Sequence, residues 1–150
     1  MGRSRGRTGR KRVGFVLDNF IVMAWSFEDE TDDYADNLLD KLAKTTAVVP
    51  ALRPLEEANA MIMGELRKLS TVDETVRWTG ILVEMPRVID GEMSTHACTL
   101  TLNLACGHGL TAYDAADLAL ATRCSPPLAT IDSKLLTTAR AVGVAMCKGS

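Results

Sequence analysis

Four carboxylates lie in largely apolar sequence, each at or near the start of a predicted helix: Asp18, Glu56, Asp114 and Asp132. Carboxylates are rarely placed in such surroundings unless a positive charge compensates them. Gathered in one cleft, the four would repel one another strongly unless they held a divalent cation. Ligand sets of oxygen alone, without His or Cys, suit Mg²⁺ or Mn²⁺ rather than zinc. The residue types therefore predict a magnesium or manganese site and metal-dependent chemistry.

Each of these acids also has a purely structural explanation. Asp18 and Asp132 precede predicted helices and could be N-caps, a common role for aspartate. Asp114 follows Thr111 by three residues in a possible capping-box variant, and Glu56 lies in a first helical turn, where a negative charge is favourable. Taken singly, capping is the simpler explanation for each. Four helix starts that meet at one sheet edge would instead form a shared acidic pocket.

Short apolar strands alternate with longer helices along the chain. The predicted strands are Val13–Leu17, Ala47–Val49, Leu128–Ile131 and Val144–Met146. The predicted helices are Asn19–Phe27, Asp32–Lys44, Pro54–Leu69, Val72–Met85, Glu92–Gly107, one that begins at Thr111, and Ser133–Val142. This alternation predicts an α/β domain with a central parallel sheet and helices on both faces. Ligands of such sheets bind beyond the carboxyl ends of the strands, where Asp18 and Asp132 are expected.

Charge is distributed unevenly along the 150 residues. Residues 1–12 hold six basic side chains and no acid, so they carry +6; the rest holds 17 − 6 = 11 basic groups against 19 acids, which is −8. We therefore predict a basic disordered tail over residues 1–12 and one folded domain over residues 13–150. The tail is either a solvated leader, the commoner case, or an arm that binds phosphates.

Membrane insertion and secretion are not expected. No apolar run approaches the length that crosses a bilayer. The four cysteines contain no Cys-x-x-Cys pair, and His96 with Cys98 lacks the second half of a zinc site. Free thiols suit a reducing compartment, so a cytoplasmic protein is predicted.

Asp117 is a further acid of interest. It lies three residues after Asp114, so both side chains project from one helical face. Its neighbours from Tyr113 to Ala121 are otherwise apolar, which leaves little solvated face for it. The wall of a cleft is the better explanation for this acid.

Three segments carry a resemblance to a known family. The most specific runs Gly-Leu-Thr-Ala-Tyr-Asp-Ala-Ala-Asp-Leu-Ala-Leu-Ala over residues 109–121 and continues as Pro-Leu-Ala-Thr-Ile-Asp over 127–132. The others are Val-Val-Pro-Ala-Leu-Arg-Pro-Leu-Glu-Glu-Ala-Asn-Ala over 48–60, and Val-Leu-Asp-Asn over 16–19 with Ala24 and Trp25 downstream. In this order and spacing they resemble PIN domains, particularly the VapC-type ribonuclease toxins of toxin–antitoxin pairs. The resemblance covers residues 13–147.

The resemblance implies roles for particular residues. It makes the four acids named first both metal ligands and catalytic residues, and it places the hydroxyl of Thr130 near the metal site. Asp117 stands where many members have Tyr or an apolar residue, so it is an auxiliary acid or a neighbour of the pocket. Because Glu57 adjoins Glu56, the register of the middle segment is open; the match to Leu-Glu-x-Ala-Asn favours Glu56.

The implied function is that of a Mg²⁺- or Mn²⁺-dependent endoribonuclease, the toxin of a toxin–antitoxin pair. Bound metal would reverse the negative local charge for RNA, helped by Lys41, Lys44, Arg53 and the tail. One rival is a catalytically inactive PIN-like module that binds RNA or protein. Another is an aspartyl-phosphate phosphatase, which Phe20 disfavours because that chemistry needs a second Asp two residues after the first.

Family resemblance also implies partners. We expect a homodimer and a small antitoxin that blocks the acidic cleft. The predicted helices over 32–44 and 54–69 carry more apolar side chains than a thin sheet can cover, among them Leu38, Leu42, Met61, Met63 and Leu66.

Overall fold

The computed structural model describes residues 13–26 and 33–149. The predicted basic tail, residues 1–12, lies outside the described residues, as do Phe27 and Asp32 at the ends of two predicted helices.

Four strands form a fully parallel sheet in the order β3-β2-β1-β4. The strands are β1 (Val13–Leu17), β2 (Thr46–Pro50), β3 (Arg87–Asp90) and β4 (Leu128–Ala129). The helices are α1 (Asn19–Ser26), α2 (Asp33–Lys41), α3 (Arg53–Leu66), α4 (Val72–Glu84), α5 (Met93–His96), α6 (Leu102–His108), α7 (Ala112–Cys124) and α8 (Ser133–Ala141). The predicted α/β class and central parallel sheet are confirmed.

Side chains of the inner strands alternate between two cores, one on each face of the sheet. Phe15 and Leu17 of β1 pack into the core that α1 and α2 cover. Val16, between them, packs with Leu118 of α7 and Leu135 of α8 in the other core. Both faces of β1 are therefore buried, which explains why its sequence is apolar without a break.

Local sequence explains where the site-bearing helices begin. Pro54 occupies the first turn of α3, where its missing N–H costs nothing. Thr111 is the N-cap of α7, and its hydroxyl accepts a hydrogen bond from the N–H of Asp114 at 3.2 Å. α4 begins with a complete capping box between Thr71 and Glu74.

The structure differs from the prediction in three elements. β3 was missed because it is a short edge strand with charged ends and exposed Val88 and Ile89, so no buried apolar run marks it. The predicted strand at Val144–Met146 is reduced to a single bridge between Met146 and Leu128. The predicted helix over residues 92–107 is divided by a π-helical segment, Ala97–Thr101, between α5 and α6.

The basis for a dimer surface also needs correction. Leu38, Leu42 and Met61 are buried in the core of the chain itself, and Met63 is half-buried. Of the five apolar side chains that we expected to be left uncovered, Leu66 alone is mostly exposed. Within the described residues, no helix is long and apolar enough to span a membrane.

Two adjacent leucines of α2 test this assignment of the core. Leu38 is completely buried and Leu39 is 45% exposed. Leu38→Ala should lower the free energy of unfolding by about 2–5 kcal/mol, since it removes buried methyl groups and leaves a cavity. Leu39→Ala should change it by less than about 0.5 kcal/mol. Urea denaturation followed by circular dichroism measures both; equal losses would contradict the assignment.

Candidate functional site

Asp18 lies at the carboxyl end of β1 and is almost fully buried, with 1% of its surface exposed. Its Oδ2 accepts a hydrogen bond of 2.6 Å from the hydroxyl of Thr130, which follows the neighbouring strand β4. Its Oδ1 is buried and has no hydrogen-bond partner. N-capping therefore does not explain this side chain. A buried carboxylate oxygen without a partner is costly, and a cation would satisfy it.

Asp132 caps α8, so the structural explanation is correct for this acid. Its Oδ2 accepts a hydrogen bond from the N–H of Leu135 at 3.3 Å, while its own N–H donates to the hydroxyl of Thr130 at 3.1 Å. Thr130 thus connects Asp18 with the backbone of Asp132. Capping and metal binding are compatible, because the cap holds the carboxylate at the sheet edge.

The two adjacent glutamates of α3 face different surroundings. Glu57 is buried and forms an ion pair with Arg87 of β3. Glu56 lies 3.5 Å from the Nε of Arg53, and the charges of Asp18 and Asp114 act on it. Glu56 is thus the glutamate on the side of the other acids, as the sequence match favoured.

From the sequence we expected Arg53 to lie at the surface, where its charge would attract RNA. The structure instead places it inside this site. Its side chain is fully buried. It donates hydrogen bonds to the backbone oxygen of Leu17 and, at 2.5 Å, to Oδ1 of Asp117. The sequence did contain a signal: acids in apolar sequence need a compensating cation, and Arg53 lies in the same apolar segment as Glu56.

The electrostatics show how strongly the site disfavours its own negative charge. Burial, together with the charges of Asp18 and Asp132, raises the pKa of Asp114. Burial likewise raises the pKa of Glu56, although Arg53 acts in the opposite direction. Burial, together with the charge of Asp18 and a side-chain hydrogen bond with it, holds the pKa of Asp117 well above its ordinary value despite the ion pair with Arg53. Added positive charge would relieve this cost.

The predicted metal ligands are therefore neighbours, but they are not assembled as a metal site. Among the residues that the structure describes, no three His, Cys, Asp or Glu side chains are placed to hold a metal ion. The donor set nevertheless fits Mg²⁺ or Mn²⁺, because it offers only oxygen atoms and includes the unpartnered Oδ1 of Asp18. Glu56, Asp114 and Asp132 would have to close around Asp18.

Comparison with known proteins yields similarity in structure alone. No protein-family model matches the chain, and no curated protein sequence matches it. The crystal structure of PAE2754 from Pyrobaculum aerophilum is similar, with a TM-score of 0.58 and 22% identity over 85% of this chain and 86% of that one. The crystal structure of FitAcB from Neisseria gonorrhoeae is also similar, with a TM-score of 0.58 and 17% identity over 90% and 97% of the two chains. The PIN-like fold expected from the sequence is confirmed.

Asp114→Asn tests whether the fold carries an electrostatic cost at this site. The pKa of the Asp114 carboxyl group is higher in the folded protein than its unfolded value of about 3.9. The folded state therefore loses stability as the pH rises from the unfolded pKa through the folded pKa. Without divalent cations, Asp114→Asn should melt at a higher temperature than wild type at pH 7, and the difference should shrink at pH 4. Asp36→Asn, which removes an exposed charge on α2, is the control.

A capping role for the Asp114 carboxylate predicts the reverse. The variant would then lose about 1 kcal/mol of stability at neutral pH. A lower melting temperature at pH 7 would contradict the electrostatic explanation.

Proposed function

We propose that this chain is a Mg²⁺- or Mn²⁺-dependent endoribonuclease of the PIN type and the toxin of a toxin–antitoxin pair. The observation that carries the proposal is Asp18: a buried carboxylate at the carboxyl edge of the sheet, with one oxygen unpartnered and other acids nearby. The PIN-like fold and the sequence resemblance supply the reaction class.

The proposed ligands and the residues that hold them have different roles in the site. Asp18, Glu56, Asp114 and Asp132 would hold the cation, which when bound would neutralise a scissile phosphate and lower the pKa of a water molecule. Thr130 fixes the orientation of Asp18 through its hydroxyl. The caps of α7 and α8 hold the carboxylates of Asp114 and Asp132 at the helix starts.

Lys134 is the basic residue best placed to meet RNA at the rim. It is exposed, follows Asp132 by two residues, and donates a hydrogen bond to the backbone oxygen of Gly109, two residues before the N-cap of α7. It therefore stands between two helix starts that bear acids. We propose that Lys134 contacts a phosphate of the substrate, helped by the basic tail against the −8 charge of residues 13–150.

A catalytically inactive PIN-like binding module is the alternative. A PIN-like protein that had lost catalysis would be expected to lack at least one of the four acids, and this chain has all four. One carboxylate oxygen of Asp18 is also buried without a partner, which costs stability. A sheet edge with no role beyond stability would not need such a group. These two features favour the enzyme.

Substitution of the adjacent glutamates tests the activity and its register together. With Mg²⁺ or Mn²⁺, the wild type should cleave RNA and an excess of chelator should abolish cleavage. Glu56→Gln should lose nearly all activity because it removes a proposed ligand. Glu57→Gln should keep most activity, although it weakens the ion pair with Arg87 and should lower the melting temperature.

Cleavage measured on labelled RNA, with circular dichroism as the folding control, distinguishes the outcomes. Activity that persists in chelator would overturn metal dependence. Loss of activity in Glu57→Gln but not in Glu56→Gln would move the ligand assignment by one residue.

The proposed homodimer has a better candidate surface than the one expected from sequence. Apolar side chains of α3, α4 and their connection are strongly exposed; we call them the α3–α4 apolar surface. They are Leu55, Ile62, Leu66, Leu69, Val72, Val76 and Val83. Their spacing places Leu55, Ile62 and Leu66 on one face of α3 and Val72, Val76 and Val83 on one face of α4, and exposed apolar faces are typical of protein–protein contacts. We propose that this surface forms the dimer, and, from family resemblance, that a small antitoxin covers the acidic cleft.

Light scattering at micromolar concentration tests the dimer. The wild type should give twice the chain mass of 16.2 kDa. Leu66→Arg should shift it to the monomer, because a charge on the α3–α4 apolar surface would be buried without a partner. Leu39→Arg, on α2, should remain dimeric. A monomeric wild type would refute the dimer, and purification from the native host without a small bound protein would refute the antitoxin.

A further inference from the structure

A fully buried arginine connects three of the elements that form the acidic site. Arg53 donates to the backbone oxygen of Leu17, the residue that immediately precedes Asp18. It also binds Asp117 on α7, one helical turn after Asp114. Its Nε faces Glu56, on the helix that carries both residues. The end of β1, α3 and α7 are thus joined through one side chain.

Stability alone does not explain this arrangement. Burial of two charges costs several kcal/mol per ion, and apolar residues of similar size often stabilise a protein as well or better. This chain therefore carries a costly pair in a place where apolar residues of similar size would also pack.

We propose that Arg53 is a positioning residue of the acidic site: it orients Glu56 toward Asp18, and Asp117 is the counter-ion that keeps Arg53 in place. This inference rests on the proposed metal site. It assigns Asp117 no contact with the metal or the substrate. The planar guanidinium suits the role because its fork can bind a backbone oxygen and two carboxylates at once, which a lysine ammonium on its flexible stem does not reproduce.

The test measures Mn²⁺ binding directly by isothermal titration calorimetry. The pair is replaced together, as Arg53→Met with Asp117→Leu, so that no buried charge is left alone. Partners that orient metal ligands from outside the coordination shell typically contribute 10–100-fold to metal affinity. We therefore expect Mn²⁺ affinity to fall by about tenfold or more, while circular dichroism and melting without metal show a folded protein.

The chain offers a matched control on the same helix. Arg87 and Glu57 form a second, partly buried ion pair, which joins α3 to β3 away from the acids. Arg87→Met with Glu57→Leu changes the same kinds of group and should leave Mn²⁺ affinity within about twofold of wild type. A similar loss of affinity in both double variants would show a general structural effect and overturn the positioning role.

A thermodynamic cycle tests whether Arg53 acts through Glu56. Glu56→Gln should weaken Mn²⁺ binding in the wild type, but it should add little to the Arg53–Asp117 double variant, because groups that act in series are not additive. Additive losses of Mn²⁺ affinity would show that Arg53 does not act through Glu56. Unchanged or tighter Mn²⁺ binding in the double variant would overturn the positioning role itself.

Arg53→Lys keeps the inference testable even if the double variant does not fold. It preserves the charge opposite Asp117 but loses the fork, so Mn²⁺ affinity should fall several-fold. Affinity equal to that of wild type would show that charge alone matters and would contradict the proposal. If the wild type itself binds no Mn²⁺, the proposed metal function fails, and that result is distinct from each of the others.

Discussion

The organisation of the site depends on placing a guanidinium inside a group of carboxylates at the carboxyl edge of the sheet. Arg53 is fully buried, and its hydrogen bonds reach the end of β1 and α7 while its Nε faces Glu56. A buried cation must be compensated, and buried acids need a cation, so each requires the other. This mutual requirement holds α3 and α7 against the sheet at the place where parallel α/β folds bind ligands.

The remaining acids are held by ordinary local structure. Thr130, just after the neighbouring strand β4, fixes Asp18, and its hydroxyl oxygen also accepts a hydrogen bond from the N–H of Asp132. Asp132 caps α8, and Thr111 caps α7 beside Asp114. Capping and metal binding were competing explanations at the level of sequence, but they do not exclude each other, because a cap is an effective way to fix a carboxylate at a helix start.

The negative charge of the acidic site is only partly balanced by Arg53, and the excess lowers the stability of the fold. Arg53 offsets part of the negative charge, yet burial and mutual repulsion still raise the pKa of Glu56 and Asp114, and Oδ1 of Asp18 has no partner. Such costs are typical of functional sites, where stability is given up for reactivity or binding. The apolar cores on the two faces of the sheet must offset them.

The sequence by itself determined the α/β class and the inner strands, and it singled out four acids as candidate metal ligands. Uninterrupted apolar runs reveal doubly buried strands such as β1, and acids that follow them fall at the sheet edge. It could not reveal β3, whose exposed and charged residues resemble a loop, or the burial of Leu38 and Met61 that removed the expected dimer surface. Only the tertiary structure decided that Arg53 points inward to Asp117. It also decided that Glu56 and Glu57 face different arginines, Arg53 and Arg87. The reason is physical: periodicity along a helix gives the face on which a side chain lies, whereas its partner depends on which distant element packs there.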